Sequence, residues 1–185
     1  MEREQALELL RTHVKSENMI RHCLASEAVM RALAARLGAD PALWGLAGLL
    51  HDLDVELTEG DAARHTHEAG RILKERGLPD DLIEAVKLHN EAAHPGRRRT
   101  DVFHKALAAA ETVTGLITAT ALVYPDRRLA SVKASSVTKR MKDKRFAASV
   151  DRAIIMECAA LGLKLEEFVE LALNAMRGIA ADLGL

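Results

Sequence analysis

Residues 49–56, LLHDLDVE, end an apolar run with four titratable side chains. These side chains are His51, Asp52, Asp54 and Glu56. Burying a charge is unfavourable unless the charge is paired, hydrogen-bonded or bound to a metal ion. We therefore expect that other parts of the chain supply partners for this group.

The composition is that of a globular protein without a strong net charge. The chain has 185 residues, which is enough for one well-cored domain. Lys and Arg number 26 and Asp and Glu number 27, so the net charge of −1 gives no global field that would recruit nucleic acid or a membrane. Aromatic residues make up only 3%, too few for the stacking surfaces that bind single strands. Nucleic acid and membrane are therefore not expected partners.

Two features indicate a cytoplasmic location. Residues 1–17, MEREQALELLRTHVKSE, are charged and amphipathic, and no segment of the chain approaches the roughly 18 uninterrupted apolar residues of a membrane span. Cys23 and Cys158 lie within apolar helical patterns rather than in a CxxC motif, which is typical of reduced core thiols. We expect an untargeted cytoplasmic protein.

The sequence pattern predicts an all-α fold, a compact helical bundle. Ala and Leu dominate, and no convincing alternation with a period of two residues indicates a strand. Ser16 is a candidate cap for a helix that ends at Gly38, and Asp40 with Pro41 starts the next helix. The predicted helices cover about 16–38, 40–52, 65–76, 79–89, 101–123, 146–161 and 165–183.

Four histidines fall on four different predicted helices: His22, His51, His67 and His89. Taken singly, each is most simply explained as an ordinary core or surface histidine. A helical bundle, however, can bring side chains from several helices to one point in its interior. Imidazoles together with a carboxylate such as Asp52 suit a divalent transition metal. We therefore predict that these side chains meet at a metal site.

The order of these residues resembles the HD-domain superfamily of metal-dependent phosphohydrolases in its HDIG-like form. The segments ALAAAETVTGLITATALVYPDRRLASV, 106–132, and KDKRFAASVDRAIIMECAALGL, 142–163, are also similar to small bacterial stand-alone members of that superfamily. The resemblance covers nearly the whole chain and implies a single HD domain over residues 1–185. Its metal-binding core would span about 16–123, and the C-terminal helices of 126–185 would pack on that core.

The resemblance also implies a role for each ligand. His22, His51 and Asp52 would bind a first metal ion, and Asp52 would bridge to a second ion held by His67 and His89. Asp52 is also the candidate catalytic residue. The implied cofactor is one or two divalent transition metals, with Mn, Fe, Ni, Co and Zn as candidates.

Other polar side chains are candidates for supporting roles. Asp54 and Glu56 are candidates to orient the histidines through their second ring nitrogen. The candidates for binding the substrate are His94, Arg97 with its two neighbouring arginines at 98 and 99, Lys139 and Arg140. The remaining histidines do not match the family pattern and are expected at the surface: His13, His65 and His104.

The predicted function is hydrolysis of a small phosphate ester or nucleotide, with metal-activated water as the nucleophile. The family closes the first metal site with an Asp on the long helix, where this chain has Glu111. A loosened site would leave a module that binds a phosphorylated ligand or acts in regulation with weakened catalysis. A di-iron oxygenase resembling inositol oxygenase and a metal-free helical protein are further alternatives. The substrate, the metal and the oligomeric state stay open.

Overall fold

The computed structural model describes residues 1–185 and contains helices but no strands. The ten α-helices are α1 Arg3–His13, α2 Glu17–Leu37, α3 Pro41–Leu50, α4 His67–Glu75, α5 Asp80–His89, α6 Val102–Leu122, α7 Ala134–Arg140, α8 Arg152–Ile155, α9 Leu165–Arg177 and α10 Ala180–Leu183. Short 3₁₀ helices cover Glu91–Ala93, Leu129–Ser131 and Met156–Leu161. The predicted all-α class is confirmed. None of these helices combines the length and the apolar character that a membrane crossing requires.

Local hydrogen bonds set the ends of the central helices. The side chains of Ser16, Asp40 and Asp101 each accept a hydrogen bond from a backbone N–H in the first turn of α2, α3 and α6. Such caps satisfy backbone donors that have no partner inside the helix. Gly38 ends α2 in the left-handed region, with φ of 73°. These boundaries lie within two residues of the sequence-based ones.

The two longest helices, α2 and α6, form the centre of the molecule. Both are 21 residues long, and most of the other helices pack directly against one or both of them, whereas α1 packs on α3 and α4 packs on α5. The buried apolar side chains form one continuous hydrophobic cluster. The cluster includes residues from both ends of the chain, such as Ala6 of α1 and Phe168, Leu173 and Met176 of α9. The burial of these apolar side chains stabilises the packing of the C-terminal helices on the same core as α2 and α6.

Gly48 allows α2 and α3 to approach each other closely. A Cβ atom at this position would lie 2.6 Å from the carbonyl oxygen of Ser26 and 2.8 Å from the backbone nitrogen of Glu27. Only glycine fits such a backbone contact. Since His22 lies one turn before Ser26 and His51 follows Gly48 by three residues, this approach brings the two histidines together.

The chain departs from the predicted helix over 146–161. Only Arg152–Ile155 is α-helical there, and the 3₁₀ helix Met156–Leu161 follows. The guanidinium of Arg152 donates hydrogen bonds to the carbonyl oxygens of four preceding residues: Asp143, Phe146, Ala147 and Val150. These bonds satisfy the carbonyl groups without a helix, so the segment folds as a loop around Arg152.

Candidate metal centre

Six side chains from separate parts of the chain converge near the middle of the fold. His22 lies on α2, His51 caps the end of α3, His65 precedes α4, His89 ends α5 and Glu111 lies on α6, with Asp52 between them. The rings of the four histidines point towards one carboxylate, that of Asp52. The structure thus brings together His22, His51, Asp52, His89 and Glu111 of the predicted set, and it adds His65.

The first half of the cluster contains His22, His51 and Glu111. The Nε2 atoms of His22 and His51 are 3.1 Å apart. Oδ2 of Asp52 lies 3.6 Å from Nε2 of His22 and 3.3 Å from Nε2 of His51. Oε2 of Glu111 is 3.9 Å from Nε2 of His22. Donor atoms held about 2.1 Å from a shared ion lie roughly 3–4 Å apart, so these separations suit a common ion.

The second half of the cluster lies on the other side of the Asp52 carboxylate. Oδ1 of Asp52 is 3.1 Å from Nε2 of His65 and 3.5 Å from Nε2 of His89. The two Nε2 atoms are 3.1 Å apart. In each half, three candidate ligand atoms lie within 4.8 Å of one another. Because its two oxygens face different halves, Asp52 has the geometry of a bridging ligand.

Backbone carbonyl groups orient two of the four imidazoles. Nδ1 of His51 donates to the carbonyl oxygen of Gly48 at 2.8 Å, and Nδ1 of His89 donates to that of Val86 at 2.6 Å. A proton on Nδ1 leaves Nε2 of the neutral ring with a lone pair. Both lone pairs therefore point into the cluster.

A threonine on α6 orients His22. The hydroxyl of Thr114 donates to the carbonyl oxygen of Glu111 at 2.7 Å, so its proton is already engaged. The same hydroxyl must therefore accept from Nδ1 of His22, which lies 3.1 Å away. This bond fixes the tautomer of His22 and directs its Nε2 lone pair to the cluster as well.

Asp54 orients His65. Its side chain is fully buried, and Oδ1 accepts the Nδ1 proton of His65 at 2.7 Å. Oδ2 accepts from the backbone N–H groups of Thr66 and Ala69 at 2.8 and 3.0 Å. Burial opposes ionisation of Asp54, but these hydrogen bonds together lower its pKa. The carboxylate thus stays charged and holds His65 in one orientation.

The inward lone pairs need a positive charge between them. Two lone pairs 3.1 Å apart repel each other, and a shared proton or cation removes the repulsion. In the metal-free chain burial opposes a proton on His65, but hydrogen bonds to Asp52 and Asp54 raise its pKa to about 9. Burial and the neighbouring His51 lower the pKa of His22 to about 4. A divalent cation would supply the charge in each half, so the donor set fits a transition metal.

The structure places His67, a predicted ligand, outside the cluster. Nε2 of His67 donates to the carbonyl oxygen of Ala93 at 2.9 Å, and its ring packs 4.5 Å from that of His94. His65, which was expected at the surface, lies beside Asp52 instead. The cause is Thr66, whose left-handed φ of 82° starts α4 two residues late and turns the chain between the two histidines.

The other predicted supporting residues lie outside the cluster. Glu56 accepts from the backbone N–H groups of Lys15 and Ser16 and so contacts the start of α2 rather than a histidine. His94 is buried against the hydroxyl of Thr66. The guanidinium of Arg97 pairs with Glu84. Lys139 and Arg140 line a separate surface depression with Phe146, which contains none of the six cluster residues.

Arg99 is a further supporting residue. Its side chain is 7% exposed and forms an ion pair with Glu157, with N···O of 2.8 Å. It also donates to the carbonyl oxygens of Leu88 and His89 at 2.9 and 3.2 Å. These bonds satisfy the C-terminal end of α5 and hold the segment that carries His89. The sequence signal is the run of arginines at 97–99, for which the sequence predicts substrate binding instead.

Cys23 lies close to the cluster but is a poor candidate ligand. Its sulfur belongs to a group with His51 and Asp52 whose ligand atoms lie within 4.8 Å of one another. Burial and the charge of Asp52 raise the pKa of the Cys23 thiol well above its usual value. Because metals bind the thiolate, the sulfur would first have to lose its proton before it could act as a ligand.

A family model matches the part of the chain that carries the cluster. Residues 19–118 match the family model described as the HD domain. Ribonuclease Y of Aquifex aeolicus is 30% identical over 76 residues, which are 41% of this chain and 14% of that protein. Ribonuclease Y of Nitratidesulfovibrio vulgaris is 32% identical over 80 residues, 43% of this chain and 15% of that protein. Ribonuclease Y 2 of Levilactobacillus brevis is 28% identical over 99 residues, which are 54% of this chain and 18% of that protein.

The chain therefore spans less than a fifth of the length of these curated relatives. The comparison with solved structures gives no match. The matched residues 19–118 contain all six cluster residues.

Proposed function

The chain belongs to the HD-domain family, and from this premise we propose that it is a divalent-metal-dependent hydrolase of a small phosphate ester or nucleotide. The observation that carries the proposal is the pair of inward-facing imidazoles on each side of the Asp52 carboxylate. Family membership supports phosphohydrolase chemistry, and the cluster supports a metal as its cofactor.

The proposed ligands divide between the two oxygens of Asp52. His22, His51 and Glu111 would hold an ion with Oδ2 of Asp52, and His65 and His89 would hold a second ion with Oδ1. Divalent ions at such sites polarise phosphate oxygens and lower the pKa of water.

Asp52 is the proposed catalytic residue. Burial opposes its ionisation, but the surrounding histidines lower its pKa well below the usual range, so the carboxylate is charged at neutral pH. Its side chain is only 11% exposed, which keeps its negative charge in a region of low dielectric constant. A charged, oriented carboxylate at the shared edge of both halves can hold a water molecule by accepting one of its protons in a hydrogen bond.

The substrate would approach from the side of His22 and Glu111. The side chains of these two residues are 23% and 18% exposed, whereas that of His51 is 1% exposed. The cluster therefore opens to solvent on the faces of α2 and α6. His51 and the second half lie deeper, where exclusion of water strengthens their electrostatic interactions.

The matched relatives are named ribonucleases, which cleave the phosphodiester bonds of RNA. That name supports phosphoester cleavage by this chain at the level of bond type. We propose a small substrate rather than RNA because the net charge is −1 and aromatic residues make up only 3% of the chain.

A binding or regulatory module is the second candidate, and one distance favours it. Oε2 of Glu111 is 3.9 Å from Nε2 of His22, the longest of the separations in the first half. Burial also raises the pKa of Glu111 to about 7, so its carboxyl group is partly protonated at neutral pH in the metal-free chain. A weakly held ion in this half would leave ligand binding with little turnover.

Metal-loaded protein and a panel of phosphate esters test the proposal. The purified chain should bind Mn, Fe, Co, Ni or Zn and then release phosphate from 4-nitrophenyl phosphate or from nucleoside monophosphates. Asp52→Asn should abolish the activity. If the metal-loaded wild-type protein hydrolyses none of the phosphate esters in the panel, the hydrolase function is excluded and the binding module is left as the explanation.

A further inference from the structure

A cavity of about 420 Å³ lies beside His22, between α2 and α6. Its polar lining includes Asn18, Arg21, His22 and Thr118, and its apolar lining includes Leu122 and Leu183. Cavities of roughly 300–1,000 Å³ accommodate small organic ligands. The mixture of polar and apolar walls suits an organic molecule with several polar groups.

The spacing of the lining residues connects this cavity with the metal centre. On α2, Asn18 and His22 are four residues apart, and on α6, Gly115 follows Glu111 by four residues. Residues three or four apart share one face of a helix. The two faces that enclose the cavity therefore continue directly into the faces that carry His22 and Glu111. A ligand in the cavity would have one end at the metal centre.

Arg21 is the one charged side chain of the cavity, and its guanidinium has no partner. It forms neither a hydrogen bond nor an ion pair, whereas Arg97 and Arg99 are paired with Glu84 and Glu157. The side chain is exposed and lies beside Gly184, where an added Cβ atom would be 3.2–3.4 Å from three guanidinium atoms. The guanidinium thus lies next to the backbone at the cavity wall, and no protein group engages its donors.

We propose that this cavity is the binding site for the part of the substrate that lies away from the scissile phosphate, and that Arg21 pairs there with a second anionic group. The inference rests on the proposed hydrolase function. The substrate class is a phosphate ester whose leaving group carries another phosphate or a carboxylate. Arg21 offers the planar pair of donors that such groups accept. Leu122 and Leu183 would contact the carbon skeleton.

Kinetics with matched esters test the role of Arg21. Adenosine 3′,5′-bisphosphate and 3-phosphoglycerate carry a second anionic group, and adenosine 5′-monophosphate and glycerol 3-phosphate are their counterparts without it. Arg21→Gln should raise KM for the first pair at least roughly tenfold, the effect of losing one charge-assisted hydrogen bond, and leave the second pair nearly unchanged. Arg21→Lys should restore part of the affinity because it retains the charge.

Arg36→Gln is the matched control. Arg36 lies on the same helix, is exposed, has no partner and is about 22 Å from Arg21 along the helix axis. Its substitution should change neither KM nor the melting temperature. Equal KM changes for both ester classes in Arg21→Gln, or no change for either class, would overturn the proposal.

A binding measurement separates this inference from the proposed hydrolase function. Calorimetry of adenosine 3′,5′-bisphosphate with metal-loaded protein reports the site even if no ester is hydrolysed. Binding that weakens roughly tenfold in Arg21→Gln but not in Arg36→Gln would support the anion site in a protein without turnover. Binding that is absent, or that both variants retain, would refute the anion site whatever the hydrolysis assay shows.

Discussion

Nδ1 of His65 donates to the buried carboxylate of Asp54 at 2.7 Å, and the opposite oxygen of Asp54 holds the start of α4. The same carboxylate thus orients a candidate ligand and stabilises the helix that follows it. Removing its charge should affect both metal binding and folding.

Asp54→Asn should lower metal content and stability together. The amide NH₂ would face either the ring N–H of His65 or the backbone N–H of Thr66, so one buried donor would lose its acceptor. We expect a loss of about 1–3 kcal/mol in the free energy of unfolding and weaker metal binding. Elemental analysis and chemical denaturation would measure both. Glu59→Gln is the control, because Glu59 is an exposed acid of the same segment. Equal metal content and equal stability of the two variants would contradict the role of Asp54 in orienting His65.

Substitution of His65 and of His67 distinguishes the ligand set of the observed cluster from the one that the sequence predicts. His65→Ala should lower the bound metal to about half of the wild-type content, because Nε2 of His65 is 3.1 Å from Asp52. His67→Ala should retain the metal, because its ring contacts Ala93 and His94. Metal content per chain after extensive dialysis measures this difference. The reverse result would restore His67 as the ligand.

Glu111→Asp distinguishes a fitted ligand from a weakened one. A side chain shorter by one methylene would move its carboxylate away from Nε2 of His22, which is already 3.9 Å distant. We expect metal affinity and activity to fall by about tenfold. Metal titration and hydrolysis of 4-nitrophenyl phosphate would report the change. Higher activity in the variant would mean that Glu111 weakens the site and would favour the binding module.

Metal binding should release protons and should strengthen as the pH rises. Burial raises the pKa of Glu111 to about 7. Burial opposes protonation of His65, but its hydrogen bonds to Asp52 and Asp54 raise its pKa to about 9. Below these values a metal ion must displace the bound proton, so affinity should increase with pH and level off above about 9. Calorimetry near neutral pH in buffers of different ionisation enthalpy would detect the released protons. A binding enthalpy that does not depend on the buffer would contradict this expectation.

Gly48→Ala should destabilise the fold and the first half of the cluster. The added Cβ would lie 2.6 Å from the carbonyl oxygen of Ser26, so α2 and α3 would have to separate. Overpacking of this kind costs about 1–3 kcal/mol. Thermal unfolding with and without metal would measure the loss. Gly70→Ala is the matched control, since its Cβ would meet only the flexible side chain of Lys87. Equal melting temperatures for both variants would contradict the role of Gly48.

The ends of the central helices could be predicted because their causes are local. Ser16, Asp40 and Asp101 bond to backbone groups two or three residues away, and Gly38 needs only its own left-handed conformation. The exchange of His65 for His67 could not be predicted in the same way. It depends on the left-handed conformation of Thr66, whose N–H is held by Asp54, a residue twelve positions earlier.

Two further features depend on contacts that the sequence pattern does not contain. The amphipathic spacing of 146–161 predicts a helix, but the guanidinium of Arg152 competes for the carbonyl groups of that segment. Arg21 stands alone in the sequence, whereas the arginines at 97–99 and the pair Lys139 and Arg140 form clusters of positive charge. Its relevance comes from the cavity that α2 and α6 enclose.

The contact at Gly48 makes the spacing of His22 and His51 depend on main-chain atoms rather than on the side chains that fill the core. Mutations elsewhere in the interior can therefore accumulate without moving this pair of rings. The outer faces that carry Asn18, Arg21 and Thr118 are free to diverge at the same time. A scaffold of this kind permits evolution of new substrate preferences around an unchanged inorganic centre.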